Sequence, residues 1–205
     1  MISPTPGTRP YTGSCHCGAT KFLIFLTFPH TACYPDSSGS SQSFHKCNCT
    51  MCHKQAILHI RVASPADDFI LLKPSNPLES TTVGDYHSES ASQPYCHWLF
   101  CKTCGGRCFL FVGEGENDEV DLGALGAAGE QAGNITKVWK LKKLDPNSNE
   151  PQHLSINAHS IDAGQAGFDL REWVDKGWLK YAQCLNVQGE GKPRFDDKPF
   201  PGGMY

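Results

Sequence analysis

The chain has 205 residues, a formal net charge of −3 and a mean hydropathy of −0.38. Lys and Arg are scattered apart from the short Lys137 to Lys143 stretch, so the basic face of a nucleic-acid binder is absent from the sequence and no nucleic-acid partner is expected. No apolar run is long enough for a membrane helix, and the expectation is one soluble domain over 1–205, with a C-terminal extension from about 165.

In chain order, the sequence reads as short strands punctuated by turn residues. Ala19 to Leu26 is the first apolar, β-branched and aromatic run. Tyr34 to Ser43 is rich in Ser and Gly and reads as an exposed loop able to hang over a site. Strands are then predicted over Ile57 to Val62, Phe69 to Leu72 and Arg107 to Val112, a Gly/Ala-rich loop over Gly123 to Gly133, and strands over Thr136 to Leu141 and His153 to Ile161. The clean helix signal comes late, over Leu170 to Lys176. Asp169 is its cap, Glu172 completes a capping box, Phe168 and Trp173 form a hydrophobic staple, and Gly177 closes the C-terminus. Gly189 to Tyr205 reads as an irregular tail wrapped on the surface. The fold class is therefore mainly β with metal staples and a short C-terminal helix.

The staples are cysteines. Of the 11 in the chain, Cys47, Cys49 and Cys52 fall within six residues, flanked by Cys15-His16-Cys17-Gly18 and Cys101-Lys102-Thr103-Cys104-Gly105. Seven thiols suffice for two zinc ions. A structural zinc takes four protein ligands in a closed tetrahedron, whereas a catalytic zinc takes three and keeps one position for water or substrate. Neither flanking pair completes a tetrahedron alone, so Cys15, Cys17, Cys101 and Cys104 are expected to share a structural ion. Cys47, Cys49 and Cys52 are left as the open, catalytic set. In the knuckle, the first thiolate is expected under backbone N–H groups of the following turn, with glycine after the second Cys taking a left-handed conformation.

A disulfide framework is the rival reading of so many thiols. The count is odd, the central three are too close to bridge one another, and Met1 to Pro6 shows no secretory h-region. A reducing, cytoplasmic location is expected instead, where thiols persist for metal. Cys33, Cys96, Cys108 and Cys184 read as small buried hydrophobes, with Cys96 and Cys108 near enough to the Cys101 pair for a ligand swap. His45 and His53 bracket the central thiols and are alternative fourth ligands, proton shuttles or donors to a thiolate; as a ligand, either would close the centre and make it structural. His16 is expected to point outward, and His59, His97, His153 and His159 to pack in or near strands. Lys54 and Arg61 read as solvated charges, and Trp98, Phe100, Phe109 and Phe111 as core.

Together, Gly13-Ser14-Cys15-His16-Cys17-Gly18, Cys47-Asn48-Cys49-Thr50-Met51-Cys52 and Phe100-Cys101-Lys102-Thr103-Cys104-Gly105 resemble the signature blocks of the glutathione-dependent formaldehyde-activating enzyme family, which also contains centromere protein V. The matching blocks span about residues 10 to 112. The resemblance implies twisted antiparallel β-sheets, the same four-plus-three division of zinc ligands, and a carbon–sulfur lyase run in the direction of condensation of formaldehyde with glutathione. The longer segment between Phe28 and His45, and the hundred or so residues after the last knuckle, depart from the compact bacterial members and can reshape the pocket. The expected partner is thus a small molecule, a glutathione adduct or related thiol adduct. The alternative is a zinc-stapled binding module without catalysis, for which the sequence offers no basic tail.

Overall fold

Apolar alternation on one side of each strand and continuous apolar runs in the centre lead to two sheets packed on one shared core. The computed structural model describes residues 7–30, 41–87, 95–127, 131–145, 147–185, 193–201 and 205. Cys33 and most of the Tyr34 to Ser43 loop lie outside the described residues, as do parts of Gly123 to Gly133 and of the C-terminal tail. Strands β1 (Thr8–Ser14), β2 (Lys21–Thr27), β5 (Phe69–Lys73), β10 (Ile135–Leu141) and β9 (Gly115–Asp121) form a five-stranded antiparallel sheet in the order β1-β2-β5-β10-β9. The second sheet has eight strands in the order β13-β12-β3-β4-β11-β8-β7-β6. These are β3 (Ser43–Cys47), β4 (Leu58–Arg61), β6 (Val83–Tyr86), β7 (His97–Cys101), β8 (Phe109–Val112), β11 (His153–Asn157), β12 (Leu179–Gln183) and β13 (Arg194–Asp196). Every pairing in it is antiparallel except β12 with β3.

The run Phe22-Leu23-Ile24-Phe25-Leu26 shows why β2 lacks polar alternation. Phe22, Ile24 and Leu26 enter the core between the sheets, with Phe69, Leu71 and Trp139 of one sheet and Phe44, Ile60, Phe111 and Ile156 of the other. Leu23 and Phe25 face the opposite way and are covered too, by Ile70, Leu122, Ala127 and Val138. A strand buried on both faces needs apolar residues at every position.

Two helices complete the fold. Helix α1 (Thr50–Lys54) is capped by Cys49 and contains Cys52, and α2 (Leu170–Asp175) lies where the capping pattern puts it. The Asp169 carboxylate accepts from the Arg171 N–H, Gly177 takes φ 64°, and the Phe168 and Trp173 rings meet edge-on at 5.2 Å. Glu172 departs from the capping box: its carboxylate accepts from the Lys176 ammonium. Trp173 also stacks on Phe44 at 4.0 Å, which fastens α2 to β3 and so to Cys47 at the end of that strand.

All six predicted strands form, with ends shifted by a few residues; His153 to Ile161 turns after Asn157 into a short 3-10 turn, Ala158–Ser160. The described part of the tail is more regular than its composition suggests. Arg194–Asp196 pairs with β12, and Phe200 is buried. No helix among the described residues is long and apolar enough to cross a membrane.

Candidate metal centres

The first centre joins the two sheets. Cys15 and Cys17 follow the end of β1, and Cys101 and Cys104 bracket the turn after β7; their four sulfurs all lie within 4.8 Å of one another. Two of the contacts are tighter: Cys15 Sγ to Cys17 Sγ is 3.7 Å and Cys17 Sγ to Cys101 Sγ is 3.5 Å. With metal–sulfur bonds of about 2.3 Å, thiolates at the corners of a tetrahedron stand about 3.8 Å apart, so these residues fit a metal ion held by four sulfurs. Gly18 and Gly105 both take φ 73°, the left-handed turn each knuckle requires. Backbone donors reach these sulfurs. The Thr20 N–H donates to Cys15 at 3.3 Å, and the N–H groups of Cys17 and Gly106 hold the Cys104 thiol down to about 6. Neither Cys96 nor Cys108 joins the group. Both are buried, and burial pushes each thiol up to about 12, as for inert core cysteines.

The second centre sits where β3 runs into α1. Cys47, Cys49 and Cys52 present sulfurs within 4.8 Å of one another, with no fourth ligand-type atom in the group among the described residues. Local backbone geometry explains the convergence. The Cys49 N–H donates to the Cys47 sulfur at 3.4 Å, and Cys49 caps α1 by accepting from the Cys52 N–H at 3.4 Å. A thiol thus replaces the usual Ser or Asp cap. The Cys184 thiol raises Cys47, but hydrogen bonds from Cys49 and Cys52 outweigh it and leave Cys47 lowered. Cys49 is raised by Cys47, and Cys52 is raised strongly by Cys47 and then Cys49. Three thiolates cannot share so small a volume without a cation to offset their repulsion, so the set either retains protons or could hold a metal ion.

His45 and His53 both stay outside the ligand group. The histidine that matters is His59, a position that sequence reasoning assigns to ordinary packing. Its Nε2 lies 3.1 Å from Cys52 Sγ, while Nδ1 lies 2.8 Å from Ser155 Oγ. With Cys52 as thiolate, Nε2–H donates to sulfur and Ser155 donates to Nδ1. His45 stacks on the other side of the ring at 4.6 Å. The signal was present in the alternation of Leu58 to Arg61: His59 alternates with the core residues Leu58 and Ile60 and so leaves the core face, yet a buried His there needs a polar partner, and the thiols are one strand away.

Cys184 is the second correction. It is half-buried rather than a core hydrophobe, and its thiol lies within hydrogen-bonding reach of Cys47. Buried Asn48 puts it there, by accepting from the N–H groups of Cys184 at 2.7 Å and Leu185 at 3.1 Å while its amide N–H donates to Gln183. No sequence pattern links residues 48 and 184; the parallel β12–β3 pairing does.

A cavity of about 150 Å³ opens beside Cys47 and Cys52, lined also by Lys46, His53, Ala56, Ile57, His159 and Tyr205. Lys46 is the cation at this site. Lys54 is exposed, and neither it nor Arg61 lines the cavity. Desolvation, and then the Lys46 charge, lower His159 and keep its ring neutral. Tyr205 reaches the wall from the C-terminal segment, its ring edge-on to Tyr181 at 5.1 Å. No protein-family model and no solved structure matches this chain significantly.

Proposed function

We propose that the protein is a zinc-dependent carbon–sulfur lyase acting on glutathione or a related thiol adduct of a small carbonyl compound, with one structural and one catalytic zinc ion. The observation that carries this reading is the contrast between the centres. Four sulfurs converge at the first, whereas three converge at the second, where Cys47 and Cys52 line a cavity. The resemblance of the three cysteine blocks to the formaldehyde-activating enzyme family supports the same reaction. When bound at Cys47, Cys49 and Cys52, zinc supplies positive charge that favours a thiolate near neutral pH.

The chain's own residues then bind, orient and move protons. Lys46 offers a partner for a carboxylate of the thiol substrate, and neutral His159 is placed to take the thiol proton. In the condensation, the thiol sulfur forms a bond to the carbonyl carbon, the carbonyl π pair moves to oxygen, and the proton returns to that oxygen. A cavity of about 150 Å³ holds the reacting thiol and a small carbonyl group, so a tripeptide thiol extends through its mouth.

The contact of Cys184 with Cys47 favours one second reading, in which Cys184 is a fourth ligand and the centre is closed and structural. Metal counting separates the two. Anaerobically purified parent protein is expected to hold two zinc ions, Cys49→Ser one with the fold intact by circular dichroism, and Cys184→Ser two. The parent is expected to speed adduct formation from formaldehyde and glutathione, followed by proton NMR, and Cys49→Ser to abolish the gain. One zinc in Cys184→Ser, or no acceleration by the two-zinc parent, would point to a binding module.

A further inference from the structure

A third set of ligand-type side chains lies at the opposite end of the eight-stranded sheet, on the β6–β7 hairpin. Asp85 pairs with Leu99 and Tyr86 with Trp98 across that hairpin, and the next step of the register sets His87 against His97. Side chains two apart on a strand share a face, so Asp85, His87 and His97 converge on one side. Asp85 Oδ2 is 2.9 Å from His87 Nε2 and 2.6 Å from His97 Nδ1. The His97 ring is held from behind by stacking on buried Phe111 at 4.7 Å, and the two imidazoles meet edge-on at 5.2 Å. All three ligand atoms lie within 4.8 Å of one another, and the His87 side chain is 49% exposed, so the group opens to solvent.

We propose that Asp85, His87 and His97 form a binding site for a divalent transition cation of borderline softness, separate from both thiol centres. The donor set is two imidazole nitrogens and one carboxylate oxygen on a single face, which leaves the remaining positions to water. Imidazole suits zinc, nickel and copper, whereas calcium and magnesium take mainly oxygen donors, of which this site offers one carboxylate. The ring nitrogens now facing Asp85 carry the hydrogens of two N–H···O bonds. On metal entry the hydrogen moves to the other nitrogen of each ring and the nitrogen facing Asp85 binds the cation, so two hydrogen bonds are exchanged for three metal bonds with no net proton lost from the rings. Strand pairing and the Phe111 stack have already fixed two of the three side chains, which reduces the ordering cost of binding.

The test is calorimetric titration with Ni²⁺ of untagged full-length protein, first saturated with zinc and passed over a chelating resin, with its zinc content counted before and after. One additional equivalent of nickel with zinc retained is expected. His87→Ala and His97→Ala are each expected to weaken that binding at least tenfold, with circular dichroism unchanged. No additional equivalent, an affinity unchanged from the parent in both variants, or zinc release matching the nickel taken up would overturn the site.

Discussion

At the residue scale, the informative side chains are those whose partners lie far away in sequence. His59 touches Cys52 and is steadied by Ser155, 96 positions away. Donors of this kind behind a metal ligand are worth about 10- to 100-fold in metal affinity. His59→Gln is therefore expected to weaken metal retention at the second centre by about that factor, read by competition with a chromophoric chelator, and to leave the first centre unchanged. His30 gives a separate prediction. Its buried ring packs against Phe44 and Trp178, and Nε2 has no hydrogen-bond partner among the described residues. Desolvation, then the Lys180 charge, lower it to about 4. The unfolded chain takes up the proton near the usual 6.5, so the stability from neutral His30 is present above that pH and is lost as pH falls from about 6.5 towards 4. The loss is on the order of 2 kcal/mol at pH 5. Urea midpoints of the parent are expected to fall more steeply than those of His30→Gln over this range; parallel curves would remove His30 from the account.

At the element scale, α2 separates two effects that sequence alone presents together. The Asp169 cap accepts from the Arg171 N–H at 2.9 Å, and its loss in Asp169→Ala is expected to cost about 1 kcal/mol. Trp173 is 1% exposed and stacked on Phe44, and Trp173→Ala is expected to cost about 3–5 kcal/mol. Chemical denaturation of both variants should preserve that order, because packing rather than capping holds a helix this short. The cap was legible in Asp169 to Gly177, since capping is a local pattern. The target of Trp173 was not, because Phe44 lies in a strand that the Ser-rich composition around it conceals. β9 was hidden for a related reason: Gly115–Asp121 is an edge strand with little burial, and its acidic residues carry no apolar alternation.

At the scale of the whole molecule, the two centres differ in what they connect. Cys15 and Cys17 belong to the five-stranded sheet's end and Cys101 and Cys104 to the eight-stranded sheet, so a metal ion held there would tie the sheets together. Cys47, Cys49 and Cys52 lie within one strand-to-helix connection. Stepwise chelation is accordingly expected to empty the second centre while the far-ultraviolet spectrum persists, and to unfold the protein only when the first is emptied. Cys101→Ser should lower the thermal midpoint far more than Cys49→Ser, because metal affinity becomes folding free energy only where distant segments must be in place.

The sequence by itself determined the seven thiols and their grouping, since a Cys-x-x-Cys-Gly turn brings its sulfurs together by local backbone geometry. It also determined the strand-rich character and the late capped helix, which follow from periodicity and capping. Only the tertiary structure decided that Asn48 draws Cys184 beside Cys47, that His59 backs Cys52, and that Lys46, His159 and Tyr205 wall one cavity. Those residues meet through the β3–β4, β4–β11 and β3–β12 pairings and the return of the C-terminal segment, and strand register over such separations leaves no mark in the spacing of the residues that it joins.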